Sequence, residues 1–509
     1  MKDSLIIGYI EKKCSTRLLR SCTVGLFLLL VSSITSSAQT VTKIVDNGAD
    51  GNKLVFAILG DGYAASDQSK YVNDISRLVL NGILGHDFYR DNQRAFNVYR
   101  VDLTSRDSGV STPSTTKDTA LKMVYSGDWN RCWMEESTDT DSLINQALGS
   151  VPKYDFVLVM LNETGWGGCR RGSRLYVTSG DDQGADYWAV VAHEYGHGIG
   201  NLFDEYFNPG AHAGPTINTR NCSTVLDRNA VVWRGLILST TSIPTTFSAE
   251  IDPNRTVGMF TGCNYKATGI YRPVENCRMR SNTPFFCPIC LGLMNRAVSP
   301  YLRDNSPSAM NNNAVNVPNS ASIGRAEMKG RRTVKETPQR SNSRPVTSPQ
   351  GAPPRESYIQ MIIKVRKNGD SEVIKATEVQ GSLIPRTEPV SNYIYEITSG
   401  AQTLSAEFLP EDPFVIRGFH DPNVNQGELL REVESATIIV KMPKTDLLDS
   451  PQNRINLRLY QIRPGTNIER LDAATLNRLK TQRSLTPQVN FTADKLGPAI
   501  RQKITRLPQ

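Results

Sequence analysis

Residues 192–206 have the sequence AHEYGHGIGNLFDEY, and the interpretation of the whole chain starts from this stretch. His193 and His197 are four residues apart, so on an α-helix they lie on one face. Two imidazoles at this spacing can bind one Zn²⁺, and Glu194 is then placed beside the ion as a general base. The chain has only 5 histidines, so a surface helix with two unrelated histidines is the weaker explanation. The pattern predicts a zinc site on a helix.

The residues on both sides of these histidines indicate a buried helix that ends shortly after them. Residues 185–191, ADYWAVV, place apolar side chains at helical spacing. Gly200 is expected to end or bend the helix, because glycine tolerates left-handed backbone angles. The chain can then turn back and present Asp204 as the third metal ligand. Glu205 is the alternative ligand, and Asp204 would in that case accept a hydrogen bond from an imidazole.

The length and charge of the chain indicate two or three domains and no nucleic-acid partner. Its 509 residues are enough for each domain to bury its own core. The formal net charge is +8, a mild excess for this length. Basic and aromatic residues do not alternate as they do in nucleic-acid-binding proteins, and no nucleic-acid motif is present. A generally basic surface is the favoured explanation of the charge.

Residues 1–38 are predicted to be a signal peptide for export. Basic residues precede an apolar run at 24–31, and small residues end at Ala38, where cleavage is expected. The apolar run is too short to span a bilayer comfortably. The mature chain is therefore expected to lack a transmembrane segment and to reach the periplasm, the cell surface or the medium.

The cysteines are expected to form disulfides, because an exported chain meets an oxidising environment. Those beyond the leader are Cys132, Cys169, Cys222, Cys263, Cys277, Cys287 and Cys290. Their number is odd, so at least one of them stays free or bonds elsewhere. Cys287 and Cys290 could instead be a redox pair or half of a zinc knuckle, but structural disulfides are the favoured prediction.

The region before the histidines alternates between strand and helix patterns. Strands are predicted at 53–59, 96–103, 154–161 and 174–178, and a helix is predicted at 67–84. This order predicts a mixed, mostly parallel sheet backed by helices. The strand at 174–178 is either an exposed edge, to which a substrate backbone could pair, or an ordinary internal strand.

The chain after residue 303 is predicted to contain a linker and an all-β domain. Residues 304–356 are polar, basic and rich in turn formers, as in a flexible linker. Residues 357–464 contain about seven short strand patterns separated by turn signals, which suggests a β-sandwich. His420 lies in a loop-like run, where a structural role is expected. Residues 465–509 form an extension without a recognisable function.

Several further motifs carry a resemblance to a known family. They are Gly60-Asp61-Gly62-Tyr63, Phe96-Asn97-Val98, Ser105 with Ser108-Gly109-Val110, the stretch from His193 to Tyr206, Tyr271-Arg272-Pro273, Cys277-x-Met279-Arg280 and Phe286-Cys287-Pro288-x-Cys290. With these motifs, residues 44–293 resemble the bacterial IgA-peptidase family of zinc metallopeptidases. The resemblance covers about half of the chain.

The resemblance implies an α/β zincin or metzincin-like catalytic domain, which we place at residues 39–303. It implies that Met279 forms a turn beneath the metal, and that the activity is that of a zinc endopeptidase, which need not cleave IgA. The third histidine usual among metzincins would fall at Phe203. Asp204 must therefore serve as the third ligand, as the family resemblance suggests.

The sequence thus predicts an exported zinc-dependent endopeptidase that acts on proteins or glycoproteins. His193, His197 and Asp204 would bind Zn²⁺, Glu194 would be the general base, and Tyr271 could donate a hydrogen bond to the oxyanion. One alternative is an exported glycan- or protein-binding adhesion protein with a structural or vestigial zinc site. Another is a metal-dependent amidase that acts on cell-wall peptides or mucin-type glycoproteins. The sequence predicts neither the natural substrate nor the oligomeric state.

Overall fold

The computed structural model describes residues 39–127, 134–184, 187–212, 218–281, 285–302, 357–389, 391–410, 412–418, 430–443, 455–466, 468 and 470–492. The chain divides into two units, residues 1–40 and residues 41–509. The predicted signal peptide, the predicted linker at 304–356 and His420 lie outside the described residues. No helix in the described ranges combines the length and the apolar character needed to cross a membrane.

Strands and helices are numbered separately, each in chain order. The strands are β1 (Thr40–Val45), β2 (Leu54–Asp61), β3 (Phe96–Asp102), β4 (Met123–Tyr125), β5 (Met134–Glu136), β6 (Phe156–Leu161), β7 (Gly168–Arg171), β8 (Arg174–Thr178), β9 (Phe207–His212), β10 (Asn218–Thr219), β11 (Cys222–Ser223), β12 (Phe260–Cys263), β13 (Tyr265–Arg272), β14 (Ser357–Arg366), β15 (Ser371–Gln380), β16 (Tyr393–Ser399), β17 (Gln402–Phe408), β18 (Val415–Gly418), β19 (Leu430–Glu432), β20 (Ser435–Pro443), β21 (Ile455–Ile462) and β22 (Leu485–Thr492). The helices are α1 (Gln68–Ile75), which a π-helix at Ser76–Ile83 continues, α2 (Asp87–Asp91), α3 (Thr140–Ala147), α4 (Trp188–Gly200), α5 (Pro288–Leu302) and α6 (Ala473–Thr481).

The largest sheet is mixed, as the sequence predicts. Its strand order is β1-β3-β2-β6-β8-β7-β18-β19. Strands β3, β2, β6 and β8 are parallel to one another, whereas β7 runs antiparallel to β8. Every residue of β2 and β6 is buried. Strands buried on both faces have continuous apolar sequences, which is why the sequence pattern located them correctly.

The strand β8 is an internal strand, so the alternative that it forms an exposed edge is wrong. Its backbone pairs with β6 on one side and with β7 on the other. A turn that includes Gly172, at φ +60°, folds β7 back onto β8, because glycine adopts this left-handed conformation without strain. The outer edge of β7 is in turn covered by β18, which comes from the C-terminal part of the chain.

The motifs at Gly60-Asp61-Gly62 and Gly109 shape the end of β2. The buried carboxylate of Asp61 accepts hydrogen bonds from the backbone N–H groups of Leu121 at 2.8 Å and Met123 at 2.9 Å. Gly62 has φ +78°, and a Cβ atom built there would lie 2.6 Å from the carbonyl oxygen of Gly109. These residues therefore fix the loop that follows the sheet, by packing and by hydrogen bonds.

The C-terminal part is β-rich and consists mainly of two antiparallel sheets, β15-β14-β20 and β17-β16-β21-β22. Side chains from both sheets share one core, including Ile363 and Val440 from the first sheet and Ile397 and Leu459 from the second. Two sheets that bury a common core in this way are compatible with the predicted β-sandwich. Strand β22 begins after residue 464, the predicted end of this domain, and pairs with β21.

Helix α4 carries the two histidines of the motif and is buried along its entire length. Val190, Val191 and Tyr195 belong to the same core as Phe56 and Leu158 of the sheet. The helix ends at Gly200, as predicted, and the next residue, Asn201, has the left-handed angles φ 49° and ψ 42°. Glycine is the most common residue in this left-handed position at the end of a helix, and asparagine is also found there. The chain therefore reverses shortly before Asp204, the predicted third ligand.

Two glycines of α4 allow close packing, one against the turn that contains Met279 and the other against the large sheet. A Cβ atom at Gly196 would lie 2.8 Å from Met279 Sδ and 3.0 Å from Phe286 Cε1. A Cβ atom at Gly198 would lie 2.8 Å from Phe156 Cε1. The helix is thus held between the sheet and the turn that contains Met279.

Substitution of these glycines tests this packing. We expect Gly196→Ala to lower the free energy of unfolding by about 1–3 kcal/mol, because the sulphur and the ring must both move. The matched control is Gly292→Ala in α5, where an added Cβ meets no atom within 4 Å. Alanine there should stabilise the helix by up to about 1 kcal/mol. Chemical denaturation of both variants measures the difference, and equal stabilities would contradict the close packing at Gly196.

Candidate metal centre

Three side chains from α4 and the following bend converge on one point. His193 Nε2 lies 3.0 Å from Asp204 Oδ1, and His197 Nε2 lies 3.2 Å from the same oxygen. The two Nε2 atoms are 3.2 Å apart. Donor atoms held at about 2.0–2.1 Å by a tetrahedral ion are separated by roughly 3.3 Å. The spacing of the three atoms therefore fits a single bound divalent cation.

The other nitrogen of each imidazole fixes which ring atom faces this point. His193 Nδ1 lies 2.8 Å from the carbonyl oxygen of Arg278, and His197 Nδ1 lies 2.7 Å from that of Leu202. A carbonyl oxygen can only accept, so each Nδ1 carries the hydrogen and donates it. In a neutral imidazole the Nε2 atom then presents a lone pair. Two lone pairs and a carboxylate oxygen in contact repel one another unless a proton or a metal cation lies between them.

The carboxylate of Asp204 is held by groups that the sequence analysis did not identify. Burial would raise the pKa of the Asp204 carboxyl, but the positive charge of protonated imidazoles and their hydrogen bonds would hold this pKa well below its ordinary value. The hydroxyl of Tyr265 donates to Asp204 Oδ2. The hydroxyl of Tyr206 donates to that of Tyr265 at 3.3 Å. Asp204 is thus ionised and oriented with Oδ1 toward the imidazoles.

A strained turn brings Tyr265 to this position. Asn264 and Tyr265 have φ values of 48° and 65°, which are uncommon for residues other than glycine. Their backbone N–H groups donate to the carbonyl oxygens of Asp204 at 2.8 Å and of Tyr206 at 3.1 Å. The disulfide between Cys222 and Cys263 lies beside the same turn. The backbone carbonyls of Asp204 and Tyr206 therefore stabilise the turn at Asn264 and Tyr265. This turn holds the Tyr265 hydroxyl in the position from which it orients the Asp204 carboxylate.

Glu205, the alternative third ligand, lies in a different group of side chains. Its carboxylate clusters with the sulphur atoms of Cys277, Cys287 and Cys290, whereas Asp204 clusters with the two histidines. Asn221 Nδ2 donates to Glu205 Oε1 at 3.0 Å. Burial raises the pKa of Glu205 well above its ordinary value, and Cys277 adds to this shift. The geometry thus separates two adjacent acidic residues into two distinct sites.

The cysteines follow the predicted disulfide pattern only in part. Cys222 and Cys263 form a disulfide, and Cys169 is also disulfide-bonded. In contrast, Cys277, Cys287 and Cys290 are buried free thiols, so the expectation of disulfides is wrong for these three. Their sulphur atoms are gathered around Glu205, a residue far away in sequence, and no spacing rule indicates such a partner.

Glu194 lies on α4 directly after the first histidine, and only 1% of its surface is exposed. Burial raises the pKa of Tyr206 well above its ordinary value, and the negative charges of Asp204 and Glu194 raise it further. The charges of Glu194 and Asp204 thus both act on Tyr206. The ring of Tyr206 is stacked with that of His193, with centroids 6.4 Å apart.

The turn that contains Met279 supports α4 from below. Met279 is fully buried, and its backbone carbonyl accepts a hydrogen bond from the N–H of Glu205 at 2.6 Å. The neighbouring Arg278 supplies the carbonyl that orients His193, and its guanidinium lies 4.8 Å from the ring centroid of Trp188. The sulphur of Met279 packs against Gly196, which lies between His193 and His197 in the sequence. It thus provides a polarisable, apolar contact for this part of α4.

Tyr271, the predicted oxyanion donor, lies on β13, the strand that begins at Tyr265. Its backbone pairs with Ser223 and Thr261. The side chain is half-buried and packs against the main core. Its role in catalysis stays a prediction.

The mixed α/β domain, with a His-Glu-x-x-His motif on a buried helix, is typical of a metal-dependent peptidase. The family model described as IgA peptidase M64 matches residues 42–256 and 248–298, together about half of the chain. The chain belongs to this family, and the resemblance seen in the sequence is confirmed. It is therefore a hydrolase of the peptidase class that acts on protein substrates. No curated protein matches the chain.

The third ligand can be tested by its removal. We expect Asp204→Ala to lose the metal ion at this site, because two imidazoles alone leave the coordination incomplete. The control is Asp182→Ala, which removes an exposed carboxylate on the loop before α4. Metal content after dialysis, measured by mass spectrometry, should fall only in the first variant. An unchanged metal content in Asp204→Ala would contradict the assignment.

The hydrogen bond from Tyr265 should tune metal affinity without being essential. We expect Tyr265→Phe to weaken metal binding by about 10- to 100-fold, as removal of groups that orient metal ligands commonly does. Competition with a chromogenic chelator gives the affinity directly. Tyr393→Phe, in the β-rich part, removes a hydroxyl far from these ligands and should leave the affinity unchanged. Equal affinities for both variants would show that Tyr265 does not orient Asp204.

Proposed function

We propose that this chain is an exported zinc-dependent endopeptidase with a zincin or metzincin-like catalytic domain. His193, His197 and Asp204 would hold the ion, and Glu194 would be the general base. The observation that carries this proposal is the convergence of two imidazole nitrogens and one carboxylate oxygen, with the buried Glu194 next to His193 on the same helix. Two nitrogens and one oxygen are the ligand types of catalytic zinc, which keeps a fourth position open.

Zinc bound there would lower the pKa of water to about 7 and polarise the scissile carbonyl group. The residues of the chain supply the proton transfers and the orientation. Glu194 takes up a proton from the attacking water and then delivers it to the leaving amine. Its burial strengthens this role, because charges interact more strongly where water is excluded. Tyr271 is proposed to donate a hydrogen bond to the oxyanion.

The burial of the site has a consequence for substrate binding. Glu194, His193, His197 and Asp204 are each no more than 4% exposed. Tyr206 lies against the ring of His193. A substrate therefore meets groups that are largely shielded from water, which strengthens their electrostatic interactions with it.

Export and zinc preference rest on different observations. A disulfide at Cys222 and Cys263 supports folding in an oxidising compartment, in agreement with the predicted signal peptide. The combination of two imidazoles and a carboxylate supports zinc over magnesium or calcium, which prefer oxygen ligands alone.

The alternative functions differ in whether they need Glu194. A glycan- or protein-binding protein with a structural zinc has no use for a general base, and the presence of the buried Glu194 directly after His193 disfavours this class. A metal-dependent amidase would use the same residues on a different substrate. Digestion of a proteome-derived peptide library, with and without chelator, separates the proposed endopeptidase from these two alternatives. Chelator-sensitive cleavage of peptide bonds supports the proposal, whereas the absence of cleavage supports the alternatives.

The general base can be tested with an isosteric change. We expect Glu194→Gln to lower peptidase activity by roughly 10²- to 10⁴-fold while the chain keeps its metal, because the amide cannot accept the proton. The control is Glu372→Gln, an exposed glutamate on β15, which should be fully active. Activity and metal content are measured on the same preparations. Near-normal turnover in Glu194→Gln would refute the mechanism.

A further inference from the structure

A second group of buried metal-ligand side chains lies beside the first. It consists of Glu205, Cys277, Cys287 and Cys290, whose ligand atoms all lie within 4.8 Å of one another. Each of these side chains is almost completely buried. The carboxylate of Glu205 belongs to this group alone, and none of the three sulphurs is needed for the proposed peptidase mechanism.

The distances within this group match those around one tetrahedral ion. Cys277 Sγ and Cys290 Sγ are 3.8 Å apart, and Cys290 Sγ is 3.4 Å from Glu205 Oε1. Thiolates at about 2.3 Å from zinc lie roughly 3.8 Å apart, and a thiolate and a carboxylate oxygen lie roughly 3.5 Å apart. A disulfide requires a separation of about 2.0 Å, as in the bonded pair Cys222 and Cys263.

Backbone N–H groups at the start of α5 donate to two of these sulphurs. Cys287 directly precedes α5, and Pro288 begins the helix. The N–H of Cys287 donates to Cys277 Sγ at 3.2 Å, and the N–H of Cys290 donates to Cys287 Sγ at 3.5 Å. Amide donors and the positive end of a helix both stabilise negative charge on sulphur. The C-P-I-C spacing places both of its sulphurs at this end of the helix.

Four acidic groups that are removed from water and placed in contact can ionise together only if a cation lies among them, since a buried uncompensated charge is strongly unfavourable. We propose that Cys277, Cys287, Cys290 and Glu205 bind a second, structural Zn²⁺. Three thiolates and one carboxylate are all ligand types of zinc, and four protein ligands with no open position match the closed coordination of structural zinc sites. Binding displaces the thiol protons to solvent and involves no oxidation or reduction. The bound ion would also protect the thiols from disulfide formation.

The second ion would join three segments that shape the first site. Glu205 follows Asp204 in the loop after α4, and Cys277 precedes Arg278, whose carbonyl orients His193. Through Cys287 and Cys290, the ion would also attach the start of α5 to the segments of Glu205 and Cys277. The structural ion would therefore hold the third ligand and the Met279 turn in place, without contact with a substrate.

Metal counting in variants of the full chain tests this proposal. We expect the double variant His193→Ala/His197→Ala to retain one equivalent of metal, and the same variant with Cys290→Ala added to retain none. Loaded with Co²⁺, the double variant should show the near-ultraviolet absorption of thiolate-to-cobalt charge transfer, which histidine and carboxylate ligands do not produce. The control adds Cys222→Ala/Cys263→Ala to the double variant and should keep both the metal and the absorption.

A second test uses the wild-type chain, so it does not require any substituted variant to fold. Under native conditions, Cys277, Cys287 and Cys290 should resist alkylation, and chelation should make all three reactive together, as seen by peptide mass mapping. A disulfide between any two of them, or metal-free double variants that bind no Co²⁺, would overturn the proposal. Neither readout uses peptidase activity, so loss of the first site or failure of the peptidase assignment leaves this test unaffected.

Discussion

The structure around the site depends on one electrostatic constraint, the convergence of two imidazole lone pairs on a carboxylate oxygen. This arrangement persists only if a hydrogen bond from Nδ1, the ring nitrogen that faces away from Asp204, fixes the orientation of each imidazole. The carbonyl of Leu202 does this for His197 from the end of the same helix, and the carbonyl of Arg278 does it for His193 from a distant turn. The helix end and the turn must therefore both be in register with α4 before any ion can bind.

The packing of α4 provides this register. A helix buried on all sides can be held in one position only if its neighbours approach closely, and Gly196 and Gly198 permit that approach. Since Met279 contacts Gly196 and its backbone binds Glu205, a shift of the helix would disturb the turn and the third-ligand loop together. The same segments meet again at the cluster of three cysteines, which explains why two sites of different chemistry lie side by side. Packing, ligand orientation and the proposed structural ion thus reinforce one another.

The C-terminal part also contributes to the peptidase domain. Strand β18 extends the large sheet by pairing with β7. Arg171 donates to the carbonyl oxygen of Ser435 at 2.8 Å, and Ile362 of β14 lies in the same core as residues of β2 and β6. The β-rich part therefore completes and covers one end of the sheet, so its role includes stabilisation of the catalytic fold.

The sequence by itself determined the features that depend on neighbouring residues. These are the helical spacing of His193 and His197, the reversal after Gly200 that presents Asp204, and the buried strands, because periodicity and local backbone preference act within a few residues. Only the tertiary structure decided which distant groups meet. Tyr265 reaches Asp204 across 61 positions, Glu205 joins three thiols, and β18 closes the edge beside β7. An exposed strand edge or a buried polar atom can pair with any group of suitable chemistry. The packing of the whole chain therefore decides the partner, and the local sequence pattern does not indicate it.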